Sequence, residues 1–243
     1  MLGRWNNTVL VPGTTRLPVS FGKDKTIMTD GPDTVTGQIL DLDGKVVAGN
    51  LTATKHNTGV PNAYWLFTAE LTTPGLYRLA VDGAAVDGQA LQINDPSLIT
   101  IPKVGEPLPP FDTPTVADHR GVDPICTASP ACSMHDVTLT DALKAGTPVA
   151  YLIGTPAYCQ TGFCGPILTL LENVKRKIGD KATFIHAEVY TDSTIATPSP
   201  AVTAYQLDFE PILFVTDASG KLVHRLDAAF DESEMLEAVT SVV

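Results

Sequence analysis

The sequence predicts a multidomain protein, an all-β antiparallel domain followed by an α/β domain, joined by a proline-rich segment. Three observations carry this. About seven β-rich runs separated by turn formers fill residues 7 to 100, with no convincing helix among them. Pro102, Pro107, Pro109, Pro110 and Pro114 crowd one polar stretch, which disfavours helix and sheet and suits a semi-rigid spacer. From residue 148 a buried-strand pattern, a two-cysteine loop and an amphipathic helix follow one another. The expected boundaries are 1–101 for the β domain, 102–136 for the linker with a Cys126/Cys132 pair, and 137–243 for the α/β domain.

The β-rich runs are 8–11, 16–21, 34–42, 46–54, 64–71, 76–81 and 90–93. Asp43-Gly44, between two of them, is the strongest hairpin signal in the chain. Seven short strands suggest two packed sheets, an architecture that resembles an immunoglobulin-like (Ig-like) sandwich, although no Cys…Trp…Cys framework is present. Trp65, Phe67 and Tyr77 read as core, because aromatics supply much of the buried area of small β domains.

Composition bounds the function. With 44% hydrophobic and 18% charged residues in 243, the chain can bury two ordinary cores. A net charge of −11 argues against nucleic acid and anionic membrane surfaces, both of which need a basic face. No apolar run is long enough to span a bilayer. Four cysteines in two close pairs suit an oxidising compartment. No apolar segment follows Arg4, so the first seven residues are not a signal peptide. The expectation is an exported, extracytoplasmic protein whose leader has been removed, with a cytoplasmic location left open.

In the α/β domain, Ile167, Leu171, Val174 and Ile178 fall on one face of a 3.6-residue period, widened by Leu168 and Leu170. Pro166 fits the first helical position, so the helix is expected to begin after Cys164. Cys164 then stands at a helix N-terminus, whose partial positive charge favours thiolate, with Cys159 in the loop leading in. Upstream, Thr140 is read as the cap of a short helix over 141–145 that Gly146 ends. Downstream come a strand over 183–190, a short helix opened by Ser199-Pro200, a hairpin over 211–226, and a final helix that Asp231 and Glu234 begin.

Strand, Phe163-Cys164-Gly165-Pro166, then helix resembles the active site of the thioredoxin superfamily, whose usual motif is Cys-Gly-Pro-Cys. Ile167 stands where that family has its second cysteine, and the partner is displaced upstream to Cys159, giving C-x4-C. Phe163 replaces the usual Trp, and strand 148–154 lacks an acid. The order β-α-β-α-β-β-α is that of a thioredoxin fold. The resemblance implies a cis-proline facing the active-site cysteine, a place that Pro211, preceded by Glu210, occupies. As a whole the chain resembles exported thioredoxin-like proteins of actinobacteria.

The resemblance implies a thiol-disulfide oxidoreductase of the cell envelope. Cys164 is expected to attack and Cys159 to resolve, on a protein partner carrying a thiol or disulfide, with no cofactor and no metal. A carboxylate at Glu210 against the nucleophile would disfavour its thiolate; the other option is a Glu210 that faces solvent. Cys126 and Cys132 are expected to form a structural disulfide, with a redox role, such as relaying electrons to the first pair, or a metal role as the alternatives. Three other readings compete. A Sco-like copper chaperone would use the close pair and a distant histidine, with Cys132, Met134 and His135 adding soft ligands suited to Cu(I), yet no spacing brings His135, His186 or His224 beside the pair, and His186 reads as a core histidine. A peroxiredoxin of the Q type would start its helix near Cys159, leaving Pro166 inside it. A non-enzymatic envelope binding protein would keep its sulfurs permanently paired.

Overall fold

Apolar and polar residues alternate along the first hundred residues, and this period of two is what the first unit is built from. The computed structural model describes residues 1–23, 26–84, 88–159 and 162–243, with Lys23 as backbone only. It divides into two units, Met1–Thr100 and Ile101–Val243.

In the first unit the strands are β1 (Leu2–Gly3), β2 (Gly13–Ser20), β3 (Gly22–Lys23), β4 (Thr26–Ile27), β5 (Thr34–Leu40), β6 (Val46–His56), β7 (Tyr64–Leu71), β8 (Gly75–Val81) and β9 (Gln89–Ile93). Seven of them form one antiparallel sheet in the order β1-β2-β7-β6-β5-β8-β9, and β3 pairs with β4. The two-sheet sandwich is therefore corrected to one continuous sheet that curls. β6 makes the bend: it pairs with β5 from Thr54 back to Val46, but with β7 only through Thr54, Lys55 and His56. The curl carries the two edge strands toward each other, where the Gly3 amide donates to Gln89 Oε1 at 3.4 Å. Inside lie Leu17, Val19, Ile39, Trp65, Phe67, Leu79 and Leu91, all fully buried, with Tyr77 beside them. The hairpin expected at Asp43-Gly44 joins β5 to β6, with Gly44 at φ +81° and Asp41 Oδ1 accepting from the amides of Asp43 and Lys45.

The second unit holds α1 (Leu139–Lys144), β10 (Val149–Ile153), α2 (Cys164–Ile178), β11 (Thr183–Ala187), α3 (Pro200–Tyr205), β12 (Ile212–Thr216), β13 (Leu222–Asp227) and α4 (Glu232–Thr240). Its sheet runs β11-β10-β12-β13, with β10 and β11 parallel and the other pairs antiparallel. This is the β-α-β-α-β-β-α order expected from the sequence, folded as one mixed four-stranded sheet with helices. Every residue of β10 and β12 is buried, as a strand covered on both faces requires. On one face Tyr151 and Phe214 stack on each other, Tyr205 of α3 meets both edge-on, and Phe111 packs against Tyr151 and Tyr205. The opposite face carries Leu152, His186 and Leu213, which share a register row.

The proline-rich segment is not a free spacer. Gly105 N donates to Leu222 O, Leu222 N to Glu106 O, and Leu108 N to Gly220 O, so this stretch runs along β13 inside the second unit. Proline supplies no donor, but the amides between the prolines do, and an exposed strand edge offers them partners. Helix starts also differ in detail. Thr138, not Thr140, caps α1, its Oγ1 accepting from Asp141 N at 3.0 Å. α2 starts at Cys164 itself, which leaves Pro166 within the first turn, where a helix amide needs no partner.

Candidate functional site

α2 presents Ile167, Leu168, Leu170, Leu171, Val174 and Ile178 to the core. Burying a side chain of this size stabilises by about 1.5–3 kcal/mol, so the stripe fixes where the helix begins. At that beginning Cys164 is 1% exposed, while Cys159, in the approaching loop, is only half buried. The two form a disulfide with Cα atoms 6.0 Å apart. Cys164 N, one of the helix amides without an intrahelical acceptor, points at Cys159 Sγ across 3.4 Å. The positive end of the helix therefore acts on both sulfurs.

The two sulfurs differ in access. An incoming thiol is bulky and must reach a sulfur, which the half-buried Cys159 allows and the enclosed Cys164 does not. Helix position alone decides thiolate character, not approach.

Glu210 lies against the pair. Its Oε2 is 3.3 Å from Cys164 Sγ and accepts from Thr155 N at 2.6 Å, so it does not point freely to solvent. Burial pushes its carboxyl up to about 7, only partly offset by the Thr155 hydrogen bond, with the nearby Glu188 adding to the rise. The Glu210–Pro211 peptide is cis. Pro211 stands across Gly154 from the cysteine: a Cβ on Gly154 would lie 3.4 Å from Pro211 Cβ and 3.6 Å from Cys164 Sγ. Among the described residues, Glu210 is the group that joins Cys159 and Cys164 within metal-ligand reach, and His135 and His186 gather at the other cysteine pair. The helix begins at Cys164 and not near Cys159, against the peroxiredoxin expectation.

Cys126 and Cys132 depart from the expected bridge. Both are free thiols, and they face two histidines instead of being bonded to each other. Cys132 Sγ lies 3.1 Å from His135 Nε2 and 3.5 Å from His186 Nδ1, and Cys132 N donates to Cys126 Sγ at 3.3 Å. The contact with Cys132 holds the Cys126 thiol far below its usual range, and the same contact together with burial drives Cys132 far above it. His186 is a buried histidine of β11, as its apolar strand predicts, but its ring is turned into this cluster. His224 lies elsewhere, bonded to Ser241 Oγ. The segment is held by its own backbone: His186 N donates to Met134 O, and Ser133 N donates to Glu172 Oε1 of α2.

A signal for this cluster existed in the sequence. Cys126, Cys132 and His135 lie within ten residues, and a histidine inside an apolar strand needs a partner. Only the register of β11 against the preceding segment joins the two, and spacing does not contain that register.

No protein-family model matches the chain, and no curated protein does. Among solved structures the chain is similar to a thiol:disulfide interchange protein of the thioredoxin family from Chlorobium tepidum TLS. The two are 16% identical, the match covers 58% of this chain and 98% of that one, and the TM-score is 0.40. A likeness that loose carries no argument about the chemistry of this chain.

Proposed function

We propose that the protein is a cell-envelope thiol-disulfide oxidoreductase that works through the C-x4-C pair Cys159/Cys164, on a protein partner carrying a thiol or disulfide. The observation that carries this reading is the pair at the start of α2 with a carboxyl of raised pKa 3.3 Å from the inner sulfur. Stabilising a fold by closing so short a loop contributes only about 2 kcal/mol, which gives no reason to place Glu210 there.

The exchange divides the roles. A substrate thiolate attacks Cys159 Sγ; the disulfide breaks and Cys164 leaves as a thiolate. Glu210, protonated in part near neutral pH, gives it a proton across the short contact. A second substrate thiolate then attacks the substrate sulfur of the mixed disulfide and releases Cys159 as a thiolate, which the Cys164 amide steadies. Two electrons pass to the protein and the substrate becomes a disulfide. In reverse, Cys159 attacks a substrate disulfide, Glu210 takes the Cys164 proton, and Cys164 resolves the mixed species. Direction follows from the reduction potential of the pair relative to its compartment.

The test is trapping. The Cys164→Ser variant, offered a disulfide-bonded protein after reduction, is expected to accumulate a mixed disulfide at Cys159, identified by mass. No adduct at Cys159, with the wild type also failing to exchange, rejects the reading.

A further inference from the structure

We propose that Cys126 Sγ, Cys132 Sγ, His135 Nε2 and His186 Nδ1 form a closed four-ligand site for zinc(II), separate from the Cys159/Cys164 pair. The four atoms all lie within 4.8 Å of one another. Their spacing is that of a coordination shell. Zn–N bonds of about 2.0–2.1 Å and Zn–S bonds of about 2.3 Å, set tetrahedrally, separate two nitrogens by about 3.3 Å and a nitrogen from a sulfur by about 3.5 Å. The structure has 3.3 Å between His135 Nε2 and His186 Nδ1, and 3.1 and 3.5 Å from these nitrogens to Cys132 Sγ.

Hydrogen bonding on the far side of His186 supplies an independent argument. Its Nε2 is 2.8 Å from Gly154 O, and a carbonyl oxygen only accepts, so Nε2 carries a proton. In the neutral ring Nδ1 is then a bare lone pair, fully buried and aimed at the sulfurs. Ligating histidines are commonly held in this way, with the second nitrogen donating to a carbonyl. His135 has no hydrogen-bond partner for its buried Nδ1 among the described residues, and its Nε2 faces Cys132 and His186. Two soft sulfurs and two imidazole nitrogens thus converge on one space.

Charge selects the ion. Two thiolates and two neutral imidazoles around a divalent cation sum to zero, which suits a place where Cys126, His135 and His186 are buried. A monovalent ion would leave a net negative charge next to the buried carboxyl of Glu188, whose Oε1 is already engaged by Thr127 N at 2.6 Å. Both cysteines bind as thiolates, their thiol protons leaving on binding, and no electron moves. With four protein ligands no position is left for water, so the ion would be structural, tying the 126–135 segment to β11. Cys132, the one half-exposed ligand, marks the route of entry.

The test uses the full chain, reduced with a phosphine, given Zn²⁺ or Co²⁺, then alkylated and mapped by mass. The expected result is one metal per chain, tetrahedral ligand-field bands with Co²⁺ that Zn²⁺ abolishes, and protection of Cys126 and Cys132 while Cys159 and Cys164 are labelled. X-ray absorption of the zinc form is expected to show two sulfurs and two imidazoles. His135→Gln and Cys132→Ser should each weaken the metal by more than about 100-fold, beyond the effect of losing an outer hydrogen bond. Three results would overturn the site: protection of Cys159 and Cys164 instead, binding of Cu(I) but of neither Co²⁺ nor Zn²⁺, or a Cys126–Cys132 disulfide in the protein before reduction. Because the mapping reads each cysteine separately, it stands whether or not the Cys159/Cys164 pair exchanges.

Discussion

Two cysteine pairs of nearly equal spacing sit in one unit, and their neighbours separate them. Cys159 and Cys164 meet a helix N-terminus and a carboxyl, and they are bonded to each other. Cys126 and Cys132 meet two imidazoles and stay apart as thiols. One strand end joins the two places: Gly154 O accepts from His186 on one side, and the position of a Gly154 Cβ touches Cys164 Sγ on the other. The comparison teaches that the gap between two cysteines says little about their chemistry. What decides is whether the third group nearby is a proton carrier or a lone pair.

The largest expected effect falls on the first pair. Cys159→Ser should reduce disulfide exchange to background without forming an adduct, whereas Cys164→Ser should stall as a mixed disulfide at Cys159, measured by intact mass. The opposite pattern, trapping only in Cys159→Ser, would restore Cys164 as the attacking sulfur.

Next comes the helix that carries the inner sulfur. Leu171 is fully buried in α2, and Leu171→Ala should cost about 2–5 kcal/mol in denaturant unfolding. A cost below about 1 kcal/mol would mean that α2 is not anchored as its apolar stripe requires.

Glu210 sharpens the contrast between proton carrier and lone pair. Glu210→Gln removes the proposed proton donor and should slow release of Cys164 on the order of 10²-fold, the lower range for general acid catalysis, with a flattened pH profile around 7. Stability should change as well. Burial raises the folded carboxyl from 4.5 to about 7, so between those values the folded state binds more protons than the unfolded one. Stability then falls as pH rises through that window and levels off above it. The Gln variant should lose this slope in thermal melts taken from pH 4.5 to 7.5. A slope that persists would place the titration on another group.

The smallest effect tests the local frame alone. Thr138→Ala removes the cap of α1 and should cost about 1 kcal/mol. It touches neither cysteine pair, so exchange rates measured below the melting range should stay as in the wild type.

How much of this was legible in the sequence follows the range of each interaction. The α2 stripe and the Asp43-Gly44 hairpin are local, and both appear as read. The start of α1 moved by two residues because Thr138 and Thr140 are equivalent as letters, and only Thr138 has Asp141 N within reach. The curl of the first sheet depends on where β6 stops pairing with β7, a long-range property that strand patterns do not encode. The prolines at 102–114 signal a spacer through the donors they lack, yet the amides between them pair with the open edge of β13. At the candidate site, Cys159, Cys164, Glu210 and Pro211 do come together, since a motif and a fold order relate them. His186 joins Cys132 across 54 positions, and nothing short of the folded sheet connects them.

The most direct measurement of the central claim is a redox titration of the full chain in glutathione and dithiothreitol buffers, with each cysteine followed by alkylation and mass. The account predicts that Cys159 and Cys164 titrate together as a two-electron couple with a midpoint well above about −300 mV, while Cys126 and Cys132 remain thiols throughout. A Cys159/Cys164 pair that stays oxidised below that potential would be a structural staple, and the oxidoreductase reading would fail.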